Sequence, residues 1–150
     1  MVINKCSITI FNSYLSLGLP PFGGETKWVR TVIHGCQWDD QVDRNPNNDG
    51  RSTVSQTVSV IIPKNAKIPS GRKFIDRASY NKLTNDNDQY WTLGVQTSPM
   101  DYIVYGEVEK EITSFYTISN LISEHKFMRI QGITDMMSSP ILPHIEVGGV

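Results

Sequence analysis

The stretch Cys36–Val54 reads Cys-Gln-Trp-Asp-Asp-Gln-Val-Asp-Arg-Asn-Pro-Asn-Asn-Asp-Gly-Arg-Ser-Thr-Val and separates two strand-like segments. Trp28–Cys36 before it is apolar and β-branched, and Val54–Ile62 after it alternates apolar with polar residues. A connection longer than about 12 residues with no structure of its own is usually functional or disordered. We therefore predict a long polar loop, residues 37–53, held between two strands.

Outside this stretch the chain is typical of one β-rich domain. Its 150 residues suit a single domain spanning 1–150. Hydrophobic residues make up 39% and charged residues 19%, so the chain can bury a core without belonging to an extreme class. The formal net charge of −1 gives no reason to expect a protein that coats nucleic acid or binds membranes through a basic patch.

Alternating segments bounded by Gly, Pro and Asn predict seven strands. Gly35 indicates a bulge within the second of them. One short helix is predicted over 119–125 with Ser119 as its N-cap, and 73–83 is ambiguous, with Asp76 near the start of a second short helix. The predicted fold class is mainly β: a small β-barrel or sandwich of about seven or eight strands with a long inter-strand loop and one short helix. The predicted strands are Ile3–Phe11, Glu25–Trp38, Val54–Ile62, Gln89–Gln96, Tyr102–Val108, Phe127–Asp135 and His144–Val147, with Gly148 and Gly149 ending the chain loosely.

The two cysteines, Cys6 and Cys36, both lie in predicted strands. Two cysteines in a chain of this length do not form a disulfide framework, so we expect reduced, buried thiols. No apolar run approaches the roughly 18 residues of a membrane-spanning helix, and the N-terminus lacks a signal-peptide pattern. We therefore expect a protein made in the cytoplasm, with no membrane partner.

The asparagines of the polar stretch and Asp49 resemble the start of an EF-hand calcium loop, which suggests a metal site there. The match fails because Pro46 intervenes and the twelfth position is Gln56, which has no carboxylate. The three histidines are far apart in the sequence and have no metal-ligand spacing, and no nucleophile motif is present. We predict no metal, no cofactor, no catalytic residue and no enzyme activity. The residues compared are Asn45, Asn47, Asp49 and Gly50 for calcium, and His34, His125 and His144.

Two other functions remain open from the residues alone. Basic residues cluster between 64 and 77, which would suit a small-barrel module that binds a ligand or single-stranded nucleic acid. A cryptic hydrolase whose triad is invisible in the sequence is the second. With net charge near zero, we interpret the basic cluster as a solvated or subunit-facing patch. Its members are Lys64, Lys67, Arg72, Lys73 and Arg77.

Three groups of residues carry a family resemblance. The first is Lys27-Trp28-x-x-Thr31-Val-Ile-x-Gly35-Cys-x-Trp38. The second is Asp101-Tyr-Ile-Val-Tyr-Gly-Glu-Val108, followed by Glu111-Ile-Thr113 and Phe115-x-Ile-x-x-Leu. The third is Ile130-x-x-Ile133-Thr-Asp135, followed by Ser138-Ser-Pro140 and His144-Ile-Glu-Val-Gly-Gly149. Together they resemble small proteins encoded in the head–tail morphogenesis region of tailed phages and prophages of Gram-positive bacteria.

The resemblance implies a virion protein of the phage neck, at the head–tail interface. It implies a head-closure or stopper-like connector that forms a homo-oligomeric ring between the portal adaptor protein and the tail terminator or tail tube. Double-stranded DNA would pass through the lumen without specific binding. The alternative within phage assembly is a tail terminator or tail-completion protein.

The predicted loop 37–53 would then face the channel or a neighbouring subunit. Aspartates near the axis would repel DNA phosphates and arginines would attract them, so a mixed lining would let DNA pass without holding it. Loop movement could gate the channel. The channel or subunit-contact residues that the resemblance implies are Asp39, Asp40, Asp43, Arg44, Asp49 and Arg51.

Overall fold

The protein is described from a computed structural model that covers residues 5–15, 25–46, 52–83, 85–95 and 101–150, with backbone alone for 43–46 and 52–55. Within these ranges the chain forms eight strands, two α-helices and one short 3-10 helix at Asn87–Gln89. The strands are β1 (Cys6–Leu15), β2 (Thr26–Pro46), β3 (Ser52–Pro63), β4 (Lys73–Phe74), β5 (Tyr90–Trp91), β6 (Tyr102–Tyr105), β7 (Phe127–Met136) and β8 (His144–Gly149). The helices are α1 (Arg77–Asn81) and α2 (Ile118–Glu124).

Six of the strands close into a barrel in the order β1-β2-β3-β8-β7-β6, and every pairing within it is antiparallel. The remaining pair, β4 and β5, forms a separate parallel ribbon of two residues each. This arrangement confirms the predicted mainly β class and resolves it to a barrel rather than a sandwich.

The barrel bends where β2 and β7 each carry one extra residue. Cys6 lies opposite Cys36 and Ser7 opposite His34, so Gly35 is unpaired, with φ +86°. Only glycine adopts this left-handed backbone without strain, as a bulge of this kind requires. The predicted bulge is confirmed. It places Cys36 on the buried side of β2, whereas strict alternation of side chains from Ile33 onward would have placed it on the other side.

Two apolar clusters fill the molecule. The larger lies inside the barrel and holds Trp91 from the β4–β5 ribbon, which packs on Phe74 with ring centroids 4.8 Å apart. The smaller lies where α2 and the segment before it cover β1 and β6, with Leu121 fully buried. The short helix thus gains its stability from packing. The interior cluster is Ile8, Ile10, Ile33, Cys36, Val58, Val60, Ile62, Trp91, Leu93, Ile103, Met128, Ile130, Ile145 and Val147.

The prediction that residues 37–53 form a loop is wrong for most of these residues. Residues 37–46 continue β2, and β3 begins at Ser52, so only 47–51 separate the two strands. The strands pair in unbroken register from Gln37 with Ile61 to Pro46 with Ser52. Residues 39–42 of this segment are exposed and the segment is rich in polar residues, so it lacks the hydrophobic alternation by which strands are recognised.

Other strand ends also differ from the predicted ones. β1 does not end at Asn12 but runs to Leu15, because the buried Asn12 amide pairs with the backbone of Thr92, at 2.6 Å and 3.1 Å. The predicted strand 89–96 shortens to Tyr90–Trp91, and the predicted strand 102–108 ends at Tyr105, before Gly106 at φ +91°.

The C-terminal glycines do not end the chain loosely. Gly148 and Gly149 lie in β8, between β3 and β7, and Gly149 is buried. Flanking glycines have weak strand propensity, so the sequence pattern ended the strand too early.

The two helices differ from their predicted positions. α2 begins at Ile118, and its N-cap is Thr117 rather than Ser119, because Thr117 and Asn120 form a reciprocal capping box. The helix ends at Glu124, one residue before the predicted end, with His125 as its C-cap. A second helix, α1, occupies the ambiguous segment, and Asp76 caps it by accepting from the Ser79 N–H at 2.9 Å.

Candidate functional site

The most distinctive surface feature is a two-stranded arm at the tip of the β2–β3 hairpin. β3 pairs with β8 only from Val58 onward, and the described part of β1 reaches only Cys36 on β2. Six residue pairs, from Gln41 with Thr57 to Pro46 with Ser52, therefore project beyond the closed barrel. At about 3.4 Å per residue the arm is about 20 Å long. We call Gln41–Pro46 with Ser52–Thr57 the arm.

An aromatic and charged cluster fixes the base of the arm to the barrel. The Trp38 ring on β2 meets the Tyr105 ring on β6 edge-on, with centroids 5.5 Å apart. Lys126 lies over both rings, its Nζ 5.7 Å from the Trp38 centroid and 5.4 Å from that of Tyr105. The Trp38 indole N–H donates to Asp40 Oδ1 at 3.1 Å, and Lys126 forms an ion pair with Asp40 Oδ2. These contacts join β2, β6 and the start of β7.

The charge of Asp40 is stabilised at this position. Partial burial raises the pKa of its carboxyl, but hydrogen bonds from Lys126 and Trp38 and the Lys126 charge outweigh that effect and lower the pKa. The neighbouring Asp39 accepts from Gln41 Nε2 at 3.2 Å. The base of the arm therefore presents two exposed aspartates, one paired with Lys126 and the other hydrogen-bonded to Gln41.

The structure separates the predicted contact residues into three groups. Asp39 and Asp40 lie exposed at the base of the arm. Asp43 and Arg44 lie within the arm, opposite Ser55 and Val54. The last two residues, Asp49 and Arg51, fall outside the described residues, as do the calcium candidates Asn47, Asp49 and Gly50.

The sequence did not single out three residues of the base cluster, namely Trp38, Tyr105 and Lys126. Trp38 and Asp40 stand two residues apart and so share one face of a strand, which was a usable signal. Lys126 pairs with Asp40 across 86 positions of sequence, so only the closed barrel brings them together.

A second polar cluster is buried at the side of the barrel, around Asp101. Its Oδ1 accepts from the Ser13 N–H at 3.2 Å and lies 3.3 Å from Arg77 Nη1, while Arg77 Nη2 donates to the Ser13 carbonyl at 2.7 Å. Burial raises the pKa of Asp101, although Arg77 and the hydrogen bonds from Asn12 and Ser13 oppose the rise. Because these contacts join α1 to β1 and to the start of β6, we interpret the cluster as structural.

The other candidate residues are dispersed. His34 shares a 2.6 Å hydrogen bond with Ser7, and His144 shares one of 2.6 Å with the Leu142 carbonyl. Two members of the basic cluster bind backbone carbonyls: Arg72 contacts Arg30 and Asp88, and Arg77 contacts Ser13. Within the described residues, no three His, Cys, Asp or Glu side chains lie close enough to hold a metal ion.

The cysteines are free thiols, as expected, and lie opposite each other on β1 and β2; Cys36 is buried, as predicted, whereas Cys6 is only half-buried. Burial and, to a smaller extent, the nearby Cys6 raise the pKa of Cys36 to about 12. None of the helices in the described ranges is long and apolar enough to cross a membrane.

Comparison with known proteins places the chain in one family. It matches "Family of unknown function (DUF6751)" over residues 3–150. Neither the curated proteins nor the solved structures contain a significant match. Since the match extends over nearly the whole sequence, the chain belongs to the DUF6751 family.

Proposed function

We propose that this protein is a structural subunit of the head–tail connector of a tailed phage or prophage, of the head-closure or stopper type. In this role, copies of the chain form a ring around the DNA channel in the virion neck, between the portal adaptor and the tail. The proposal starts from the sequence resemblance, and the projecting arm is the observation that supports it best.

Among the residues that the structure describes, no other strand of the same subunit pairs with the arm. A two-stranded hairpin alone in water is marginally stable, and both of its edges carry unpaired backbone groups. Val42 in the arm is 56% exposed, so its side chain gains little from its own chain. An arm of this kind is stabilised when it packs on a neighbour or lines a shared lumen. This favours an assembly of identical subunits over a solitary barrel.

The charge of the arm suits a channel through which DNA slides. Residues 41–57 contain two aspartates and two arginines, so the segment is formally neutral. Tight binding to DNA requires several cations that neutralise phosphates, and its affinity scales with their number. A neutral, hydrated arm would contact DNA without holding it.

Shortening the arm tests the proposal. Residues 43–55 are replaced by Asn-Gly, which joins Val42 to Gln56 through a two-residue hairpin turn and keeps the register. The barrel pairings begin at Cys36 and Val58, so we expect far-UV circular dichroism and the unfolding midpoint to stay close to wild type. In a prophage lacking the native gene, we expect the shortened chain to give particles that leak DNA or fail to join tails.

The conservative variant Gln56→Asn serves as the matched control, since it changes one exposed arm residue and keeps the hairpin. Full infectious yield from the shortened chain, with the control also at full yield, would contradict the role of the arm.

Partners distinguish the connector from a tail terminator. The tagged chain is mixed separately with portal–adaptor complexes and with tail tubes. Binding to portal–adaptor complexes supports the head-closure role. Binding to tail tubes alone overturns it in favour of the terminator role.

A further inference from the structure

An exposed aromatic side chain and an apolar groove lie at opposite ends of the barrel. Phe115, on the turn before α2, is 96% exposed. Its neighbour Ser114 lines the same surface cavity as Trp28, near the start of β2. The groove, of about 610 Å³, includes Gln37 on the same strand. Nine residues of β2 separate Trp28 from Gln37, which is about 30 Å along the strand.

The groove is built to accept an apolar side chain. Its walls are mainly aliphatic, and Leu142, which is 80% exposed, forms its rim. Leu142 holds a left-handed backbone at φ 52°, which is uncommon for leucine and keeps this side chain turned outward in water. The apolar lining residues are Ile61, Pro63, Leu142 and Pro143.

The two surfaces carry opposite charge. Around Phe115, Glu109 and Glu111 lie on the same loop, and Glu124 accepts from the Tyr116 hydroxyl at 2.9 Å. One lysine, Lys110, lies over the Tyr116 ring, so this surface is negative by about two charges.

At the groove, Lys64 forms part of the wall and Lys67 follows on the same loop. Glu146 lies opposite Ile61, so the groove is positive by about one charge with His144 neutral. Complementary charge of this kind favours one pairing of surfaces over others.

We propose that Phe115 of one copy inserts into the Ile61–Leu142 groove of the next, so that the chain assembles with itself head to tail. The inference rests on the proposed function, for which it supplies the contact between subunits. Such a heterologous contact closes into a ring when the rotation between copies fits, and forms an open chain when it does not. The occupant of the groove is thus a second copy of this chain.

Two variants test the contact by sedimentation of the purified full chain. Phe115→Glu removes the aromatic group and adds repulsion within an acidic surface. Leu142→Asp damages the groove, and Asp tolerates the left-handed backbone. Both side chains are exposed, so we expect both variants to fold, as circular dichroism will check. Each alone should associate on the order of 30-fold more weakly than wild type, as loss of a central interface residue does.

Mixing the two variants gives the decisive result. The groove of Phe115→Glu is intact, and so is Phe115 of Leu142→Asp, so one good contact remains per pair. We expect heterodimers and nothing larger. Phe115→Leu, which keeps an apolar group, and Val150→Glu, which adds a charge at an exposed position outside both surfaces, should associate like wild type.

The remaining outcomes separate the proposed contact between copies from the proposed ring. Wild-type rings that persist in both variants overturn this contact and leave the connector proposal standing. Open chains of wild type that the variants abolish support the contact and overturn the ring. A wild-type chain that stays monomeric at every concentration overturns both.

Discussion

At position 149 the barrel leaves no room for a side chain. A Cβ built on Gly149 would lie 1.9 Å from the Arg129 carbonyl oxygen and 2.7 Å from Met128 Cε. The backbones of β7 and β8 approach closely here, beside the bulge at Gln131, where the register shifts between Ile130 and Gly132. Glycine at position 149 therefore allows β7 and β8 to approach this closely at the end of β8.

We expect Gly149→Ala to lower the free energy of unfolding by about 3 kcal/mol, because the backbone must move to relieve the overlap. Urea denaturation measures the change. Gly148→Ala is the matched control, since a Cβ there meets nothing within 4 Å, and it should change stability by less than about 0.5 kcal/mol. Equal losses in the two variants would contradict the close approach.

The buried pair of Arg77 and Asp101 should make stability depend on pH. Their side chains are 12% and 0% exposed, so removing Arg77 leaves a buried carboxylate without its cation. We expect Arg77→Met to cost about 3 to 5 kcal/mol near neutral pH.

The direction of the pH dependence follows from the pKa of Asp101. Burial raises that pKa above its ordinary value of 3.8, so the folded state holds the proton more tightly than the unfolded state. The contribution to stability is therefore present at low pH and is lost as pH rises through the raised pKa. Without Arg77 the pKa rises further, and the cost of Arg77→Met should grow as pH rises through the raised pKa of Asp101.

Lys82→Met provides the comparison, because it removes one positive charge from an exposed side chain beside the same helix. Its effect should be small at each pH. A cost of Arg77→Met that is constant over the range would show that Asp101 does not titrate there.

Among the elements, α2 offers a direct check on its N-terminus. Thr117 Oγ1 accepts from the Asn120 N–H, and the Thr117 N–H donates to Asn120 Oδ1 at 3.0 Å. Thr117→Ala should cost about 1 kcal/mol in thermal or urea unfolding. The structure places Ser119 inside the first turn, so Ser119→Ala should be neutral to within about 0.5 kcal/mol. A larger loss of stability for Ser119→Ala than for Thr117→Ala would show that Ser119 is the N-cap.

The elements also show where sequence reasoning succeeds and where it fails. Strands with one buried face, such as β3 near Val60, carry the period of two and were located to within a few residues. The described side chains of the arm, at 41, 42, 56 and 57, are exposed and do not carry that period, so the segment resembled a loop. Asn12 and Ser13 resembled a strand end, because their partners Thr92 and Asp101 are about 80 to 90 positions away and invisible to local patterns.

At the scale of the whole molecule, closure of the barrel could be anticipated only as a class. The number of strands predicts a barrel or a sandwich. The pairing of β1 with β6 closes the barrel, and it joins residues that are far apart in the sequence, such as Ile8 and Tyr105, so local patterns do not reveal it. The base cluster depends on the same closure, since Asp40, Tyr105 and Lys126 meet only when β2, β6 and β7 are in place. The assignment of Asp39 and Asp40 as contact residues stays a prediction, and the contacts that hold Asp40 could not be read from the sequence.

We propose that copies of this barrel form a ring whose arms face a common channel. Electron microscopy of the purified chain is the decisive measurement, with the shortened-arm variant imaged beside it. We expect closed rings whose opening admits a DNA duplex, with a wider opening when the arm is shortened. Monomers or open chains at every concentration tested, with no particle enclosing a channel, would contradict it.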